Sequence, residues 1–322
     1  MKIVILDGKT VVGNEMNFDR IKKLGELTVY DRTPDKLAAE RIGDAEVVFT
    51  NKTVIGKEVL DKCKNLKLIS VFATGYNVID VDYAREKGVA VCNVPAYSTD
   101  SVAQLTFAFI LEIANRVGEH NDAVHGGRWL SSEDFCFWTR PLTELAGKTL
   151  GIVGYGNIGK RVAEIAKAFK MNVLVTTRTP FEGSVTLDEV LENSDFVSLH
   201  CPMNKQSDKM INAVTLSKMK PTAYLINTSR GGLVDEQALA DALNFGIIAG
   251  AAVDVVSEEL IKASNPLLTA KNCIITPHIA WAPLEARRRL MDVSVKNLEG
   301  FLSGNVINQV NKYAIYNKKT EQ

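Results

Sequence analysis

A chain of 322 residues with 46% hydrophobic content can bury a sizeable core, and its length favours two domains over one. Lys plus Arg and Asp plus Glu each total 38, so the formal net charge is zero and no overall field draws the chain to nucleic acid or an anionic membrane. The five cysteines, Cys63, Cys92, Cys136, Cys201 and Cys273, stand singly, without the spacing of a zinc site, and read as reduced thiols.

The chain opens on the strand-like run Lys2 to Leu6, without the basic and apolar regions of a secretory signal, and a cytoplasmic protein is expected. Further short apolar runs follow at Leu27 to Tyr30, Glu46 to Phe49, Lys67 to Val71 and Val89 to Cys92, separated by helical stretches such as Pro34 to Arg41. Alternation of this kind predicts an α/β unit with a parallel sheet. Asp100 and Ser101 then precede a helical run from Val102 to Ala114, which Glu112 interrupts and which is too short to span a bilayer. From Glu119 to Pro141 a polar, aromatic stretch reads as an excursion from the core. A second series of strands is predicted at Thr149 to Val153, Val173 to Val175, Phe196 to Leu199, Tyr224 to Ile226, Ile248 to Val253 and Cys273 to Ile275. After Pro283 a final helix with Ala286, Leu290, Val293, Leu298 and Phe301 on one face is long enough to return to the first unit, making that domain discontinuous. Asn317 to Gln322 read as a solvated tail.

The turn Gly154-Tyr155-Gly156-Asn157-Ile158-Gly159 follows the apolar strand Leu150 to Val153 and opens a helix from Ile158 to Phe169. In that setting Gly154 permits a tight turn, Gly156 lets a pyrophosphate approach the backbone, and Gly159 lets helix and strand pack closely. A dinucleotide is therefore expected here. NAD enzymes of this kind usually carry Asp or Glu at the end of the next strand, for the adenosine ribose. Here that strand ends in Thr177-Arg178-Thr179, a guanidinium between hydroxyls where a carboxylate would repel a 2′-phosphate. NADP(H) is the favoured cofactor, with Arg178 on the phosphate and Thr177 or Thr179 assisting; acceptance of NAD(H) as well is the alternative.

Arg230, Glu259 and His278 lie just beyond later strands of the same unit, where ligands of open α/β sheets bind. With them, the chain resembles the D-isomer-specific 2-hydroxyacid dehydrogenases along essentially its whole length. The matching motifs, in the family's order, are Gly75-Tyr76-Asn77-Val78-Ile79-Asp80, Asn93-Val94-Pro95, Ser101-Val102-Ala103-Gln104, the glycine turn, Leu199-His200-Cys201-Pro202, Arg230-Gly231-Gly232 and Thr276-Pro277-His278-Ile279-Ala280. The resemblance implies two doubly wound parallel-sheet domains. A flavodoxin-like substrate domain would comprise 1–97 and 292–322, and a Rossmann cofactor domain 98–291, with a dimerisation excursion at 119–141 and a homodimer expected.

It also implies the roles. His278 would be the general acid in reduction of a 2-oxo acid, since a proton must reach the carbonyl oxygen as a hydride reaches its carbon. Glu259, bonded to the other ring nitrogen, would favour the imidazolium, and Arg230 would bind the substrate carboxylate and polarise the carbonyl. After Asp254 the sequence departs from the common family form, with Val256, Ser257 and Leu260 in place of an aromatic, acidic residues and a proline; spacing from Asp254 selects Glu259 over Glu258. By analogy Asp254 would bind the nicotinamide carboxamide, Thr106 would face the cofactor, and Cys201, Pro202 and Thr228 would line its site. Backbone around Ala73, Thr74 and Gly75 would cradle the substrate carboxylate. Members acting on phosphorylated acids bring an arginine before that loop and often an added regulatory domain, whereas Val71 and Phe72 stand here. Trp281, after the histidine, and Trp138 are similar to the glycerate dehydrogenase or hydroxypyruvate reductase branch and would shape the substrate pocket. Hydroxypyruvate or glyoxylate is the favoured substrate. Reduction of branched or aromatic 2-oxo acids, and a dinucleotide-sensing corepressor-like binding protein, are the alternatives.

Overall fold

The computed structural model describes residues 1–312, so the tail expected at Asn317 to Gln322 lies outside the described residues. The chain divides into two compact units, Met1–Ser98 with Ala282–Gln322, and Thr99–Trp281.

The first unit holds five parallel strands, β1 (Lys2–Ile5), β2 (Glu26–Val29), β3 (Val47–Thr50), β4 (Leu68–Val71) and β5 (Ala90–Cys92), in the order β2-β1-β3-β4-β5. That is the flavodoxin-like order. Strands β3 and β4 are buried throughout, as a sheet covered on both faces requires, and this is why they read as unbroken apolar runs. The run expected to be helical from Pro34 is a 3₁₀ turn, Asp35–Leu37, continuing into the short helix Ala38–Ile42. The chain returns to this unit at Ala282, not at 292, because Leu284–Leu302 forms one uninterrupted helix. Within that helix Val295, not Val293, joins Ala286, Leu290 and Leu298 in the buried face. Asn297 locks the helix to the sheet's far end by donating to the Asn93 carbonyl at 2.9 Å, and Arg289 donates to the Tyr97 carbonyl at 2.8 Å.

The second unit is a six-stranded parallel sheet: β6 (Thr149–Val153), β7 (Asn172–Thr176), β8 (Phe196–Leu199), β9 (Tyr224–Asn227), β10 (Gly250–Val253) and β11 (Cys273–Ile275), ordered β11-β10-β9-β8-β6-β7. Side chains alternate between its two faces with the period of a strand. Leu150, Ile152, Phe196, Ile226 and Ala252 enter one core with the helices Thr99–Asn115 and Asn157–Ala168. Val153, Val197, Leu199, Leu225, Ala251 and Val253 enter the other, against Leu239 and Leu243 of the helix Glu236–Asn244. The chain runs outward from β6 to β7 and then crosses back to β8, so the switch point of this sheet lies at β6.

Register fixes where the loops emerge. Thr176, Val153, Leu199, Asn227, Val253 and Ile275 pair in one row across the sheet. Gly154, Thr177, His200, Thr228, Asp254 and Thr276 each follow directly on a member of that row, so the glycine turn, Arg230, Glu259 and His278 leave the sheet at one edge. Between the helix Thr99–Asn115 and β6 the excursion holds a helix of its own, Val117–His125, and then irregular chain. It leaves Trp129, Leu130, Phe135 and Trp138 from 53% to 94% exposed. Among the described residues no helix is long and apolar enough to cross a membrane.

Candidate active site

The glycine turn leaves β6 with Gly154 at φ +100°, a left-handed conformation, and a Cβ there would stand 2.7 Å from the Cys201 nitrogen and the His200 carbonyl carbon. Only glycine fits where these two backbones touch. Gly159 is excluded from carrying a side chain by the Gly154 carbonyl, 2.2 Å from its Cβ position, whereas a Cβ on Gly156 would meet nothing within 4 Å. The first and third glycines therefore serve the fold, and the second leaves open space. The helix Asn157–Ala168 begins there with no side-chain cap and no acidic residue in its first turn, so its leading N–H groups and the positive end of its dipole face that space, the arrangement that binds an anion.

A cavity of about 430 Å³ lies at this switch point. It gathers Gly154 and Gly156 from the turn, Thr177, Arg178 and Thr179 from the end of β7, and Cys201 and Pro202 from the end of β8. Arg178 makes no hydrogen bond or ion pair with the described residues, so its guanidinium is available to a ligand. No carboxylate lines the cavity. The residues fit a nicotinamide dinucleotide: a backbone cradle, an uncapped helix terminus, and a cation where the adenosine ribose would lie. Sequence reasoning missed further lining residues, Leu187 and, in the loop after β8, Asn204, Gln206, Ser207 and Met210. For the latter the signal is in the strand order, since the loop after β8 becomes a neighbour of the loop after β7 only because β6 lies between them.

Two residues expected at the cofactor have partners within the protein. Thr106 has no exposed surface; its hydroxyl donates to the Val102 carbonyl at 2.9 Å and meets the Thr228 hydroxyl at 3.2 Å. It joins its helix to the end of β9 and offers no face to a ligand. Asp254 is 1% exposed, and its carboxylate is occupied by the loop that carries His278. Oδ1 accepts from the Thr276 hydroxyl at 2.5 Å and from Ile279 N at 2.8 Å, while Oδ2 accepts from Ala280 N at 2.9 Å. His278 N donates to the Asp254 carbonyl at 2.8 Å. These bonds bracket His278, which sits at φ +55°, a conformation that costs a non-glycine residue of the order of 1–3 kcal/mol and persists only when its surroundings enforce it.

His278 Nδ1 lies 2.9 and 2.8 Å from the two oxygens of Glu259. An ionised carboxylate only accepts, so Nδ1 carries the proton and Nε2 is the nitrogen left for exchange with another molecule. Glu258, the competing acid, pairs with Lys262 at 2.6 Å instead. Arg230 follows β9, is exposed, and donates from Nη1 to the Ser229 carbonyl at 2.7 Å; no carboxylate among the described residues pairs with it. A second histidine is close in sequence to the cavity, but burial pushes His200 down to about 3, so it stays neutral and cannot serve as a proton donor near neutral pH. Trp281 is half-buried and Trp138 62% exposed. In the first unit, Ala73, Thr74 and Gly75 follow β4, pinned to Val94 by Val94 N to the Ala73 carbonyl at 2.9 Å and the Thr74 hydroxyl to the Val94 carbonyl at 2.8 Å.

Comparison with known proteins agrees with this chemistry. The family model described as D-isomer specific 2-hydroxyacid dehydrogenase, NAD binding domain, matches residues 107–280. The chain is 50% identical to a hydroxypyruvate reductase of Blautia hydrogenotrophica, across 97% of this chain and 100% of the relative. It is 39% identical to a glycerate dehydrogenase of Methylorubrum extorquens, across 96% and 98%. Among solved structures it resembles an NADPH-dependent glyoxylate/hydroxypyruvate reductase of Sinorhizobium meliloti in complex with NADP and malonate, with a TM-score of 0.83, 29% identity and 96% of each chain covered.

Proposed function

The chain belongs to the D-isomer-specific 2-hydroxyacid dehydrogenase family, and we propose that it reduces hydroxypyruvate or glyoxylate to D-glycerate or glycolate, with NADP(H) preferred. It is a nicotinamide-dinucleotide-dependent oxidoreductase. The observation that carries the reading is the bond of both Glu259 oxygens to His278 Nδ1, on the same sheet edge as Arg230, whose guanidinium no carboxylate among the described residues pairs with.

When bound, the reduced nicotinamide supplies the hydride. As the imidazolium, His278 gives its Nε2 proton to the 2-oxo oxygen, while Glu259, bonded at Nδ1, holds the ring in the orientation that keeps Nε2 outward. The positive charge formed at the ring as it is reprotonated is stabilised by the carboxylate beside it. Arg230 offers a planar pair of donors to the substrate carboxylate and lowers the cost of negative charge developing on the carbonyl oxygen. Thr177, Arg178 and Thr179 supply the charge and hydroxyl donors that a 2′-phosphate requires, which supports NADP(H) over NAD(H).

The test is a grid of initial rates for hydroxypyruvate, glyoxylate, pyruvate and phenylpyruvate, each with NADH and NADPH. The highest kcat/KM is expected for hydroxypyruvate or glyoxylate with NADPH. Faster turnover of phenylpyruvate would move the substrate assignment, and tight NADPH binding without turnover of any acid would defeat it. The exposed aromatic and aliphatic side chains of the excursion, Trp129, Leu130, Phe135 and Trp138, form the kind of apolar surface that a partner subunit covers. A homodimer follows, and a monomer mass by light scattering during size-exclusion chromatography would refute it.

A further inference from the structure

Residues 257–264 are all exposed, yet this stretch carries Glu259. With so little of the stretch buried, hydrogen bonds must do much of the positioning. Their source is Glu236, the first residue of the helix Glu236–Asn244. Its Oε1 accepts from Ser257 N at 2.6 Å, and its Oε2 accepts from the Ser257 hydroxyl at 2.7 Å and from Asn265 Nδ2 at 3.0 Å. One carboxylate thus ties down both ends of the exposed stretch. An acid at this position often serves its own helix, but here the cap is Asp235, which accepts from Ala238 N at 3.2 Å. The platform under Glu236 is rigid, since Leu239, Ala240, Ala242 and Leu243 of its helix are buried.

A second contact fixes the same loop from the Arg230 side. A Cβ on Gly231 would lie 1.9 Å from the Val256 carbonyl carbon and 2.3 Å from Ser257 N. The loop therefore rests directly on the backbone beside Arg230, and Ser257 is held between Gly231 and Glu236. We propose that Glu236 is a positioning residue for proton transfer, latching the exposed loop in the register that brings Glu259, and not Glu258, to His278. The inference rests on the proton-donor reading of His278. Glu236 touches neither substrate nor dinucleotide; it acts through Ser257 on Glu259.

The test compares the full chain with Glu236→Ala, Glu236→Gln and Ser257→Ala by steady-state kinetics with hydroxypyruvate and NADPH. It adds proton NMR of the ligand-free protein in the downfield imidazole N–H region, where the His278 signal is assigned by its loss in His278→Asn. Because misplacement of a reacting group by about 1 Å costs about 10²-fold, Glu236→Ala should lose about that much kcat, keep its KM for the dinucleotide, and lose the downfield signal. Glu236→Gln, which retains an acceptor for Ser257 N–H, should recover most of both. Ser257→Ala keeps the backbone bond and should stay near the parent. A folded Glu236→Ala protein with parental kcat and an intact signal overturns the proposal. Should that variant fail to fold, Glu236→Asp, whose carboxylate falls one methylene short of Ser257, takes its place with the same two readings. If the parent turns over no 2-oxo acid, the functional reading fails, while the NMR comparison still decides the latch.

Discussion

Replacing Asp254 by Asn preserves the side chain's shape and removes one acceptor from the loop that holds His278. An Asn with its carbonyl toward Thr276 and Ile279 keeps two of the three side-chain bonds, but its amide then faces the Ala280 N–H, donor against donor. At 1% exposure water cannot substitute, and a buried donor left unsatisfied costs about 1–3 kcal/mol. For a domain of about 150–250 residues each kcal/mol lowers Tm by about 2–4 °C, so a fall of roughly 2–12 °C is expected. The kinetic effect should be larger. With its enforcement weakened, His278 can leave its left-handed conformation, and a displacement of about 1 Å lowers kcat by about 10²-fold. Thermal unfolding and steady-state kinetics on Asp254→Asn measure both, and KM for the dinucleotide should stay within about twofold because no uniform binding interaction is lost. A parental kcat with a strongly raised dinucleotide KM would refute this reasoning and place the carboxylate on the cofactor.

The two ends of the glycine turn should respond oppositely. Gly154→Ala forces a methyl group against the His200–Cys201 backbone and should destabilise the unit in a melting experiment. Gly156→Ala meets nothing in the protein, so Tm should hold while the dinucleotide Kd, measured by fluorescence titration, rises by about tenfold or more as the methyl fills the pyrophosphate's path. Arg178→Ala should lower kcat/KM for NADPH by roughly 10- to 150-fold, the equivalent of charge-assisted hydrogen bonds worth about 1.5–3 kcal/mol, and leave NADH nearly unchanged; equal losses for both would argue against a 2′-phosphate contact. His200, buried and neutral down to about pH 3, takes up a proton on unfolding anywhere below the ordinary histidine range. Its burial therefore lowers stability as pH falls through about 6.5 toward 3, by roughly 2 kcal/mol at pH 5, and is without cost above that window. Denaturant unfolding from pH 4 to 8 should show His200→Gln losing less stability on acidification than the parent, and parallel curves would contradict the assignment.

What the sequence revealed and what it concealed follow from the physics of a parallel sheet. Strands buried on both faces declare themselves as apolar runs, so β6 and β8 were readable to the residue, and a glycine turn between such a strand and a helix carries its chemistry in its spacing. The Glu259–His278 pair was readable because spacing beyond strand ends and the family resemblance both pointed to it, and the hydrogen bond joins the two. The part of the dinucleotide cavity after β8 was not, because Gln206 and Met210 come to line the same cavity as Arg178 only through strand order. Thr106 and Asp254 were expected to face the cofactor, and motif position alone cannot tell an inward hydroxyl or carboxylate from an outward one. In the fold one bonds to Thr228 and the other holds the backbone around His278. Glu236 gave no sign at all, since an acid at the start of a helix looks the same whether it serves its helix or a loop 21 residues on.

The exposed stretch 257–264 sets one half of the proton-transfer pair apart from the other. His278 sits in a loop whose backbone the buried Asp254 carboxylate holds at the end of the sheet, while Glu259 rides on a stretch whose residues are all exposed. Segments of that kind open with far less free energy than the core around them. Warming the enzyme should therefore separate Glu259 from His278 well before the sheet melts. Turnover will peak and decline at temperatures where the protein is still folded, and the decline will reverse on cooling.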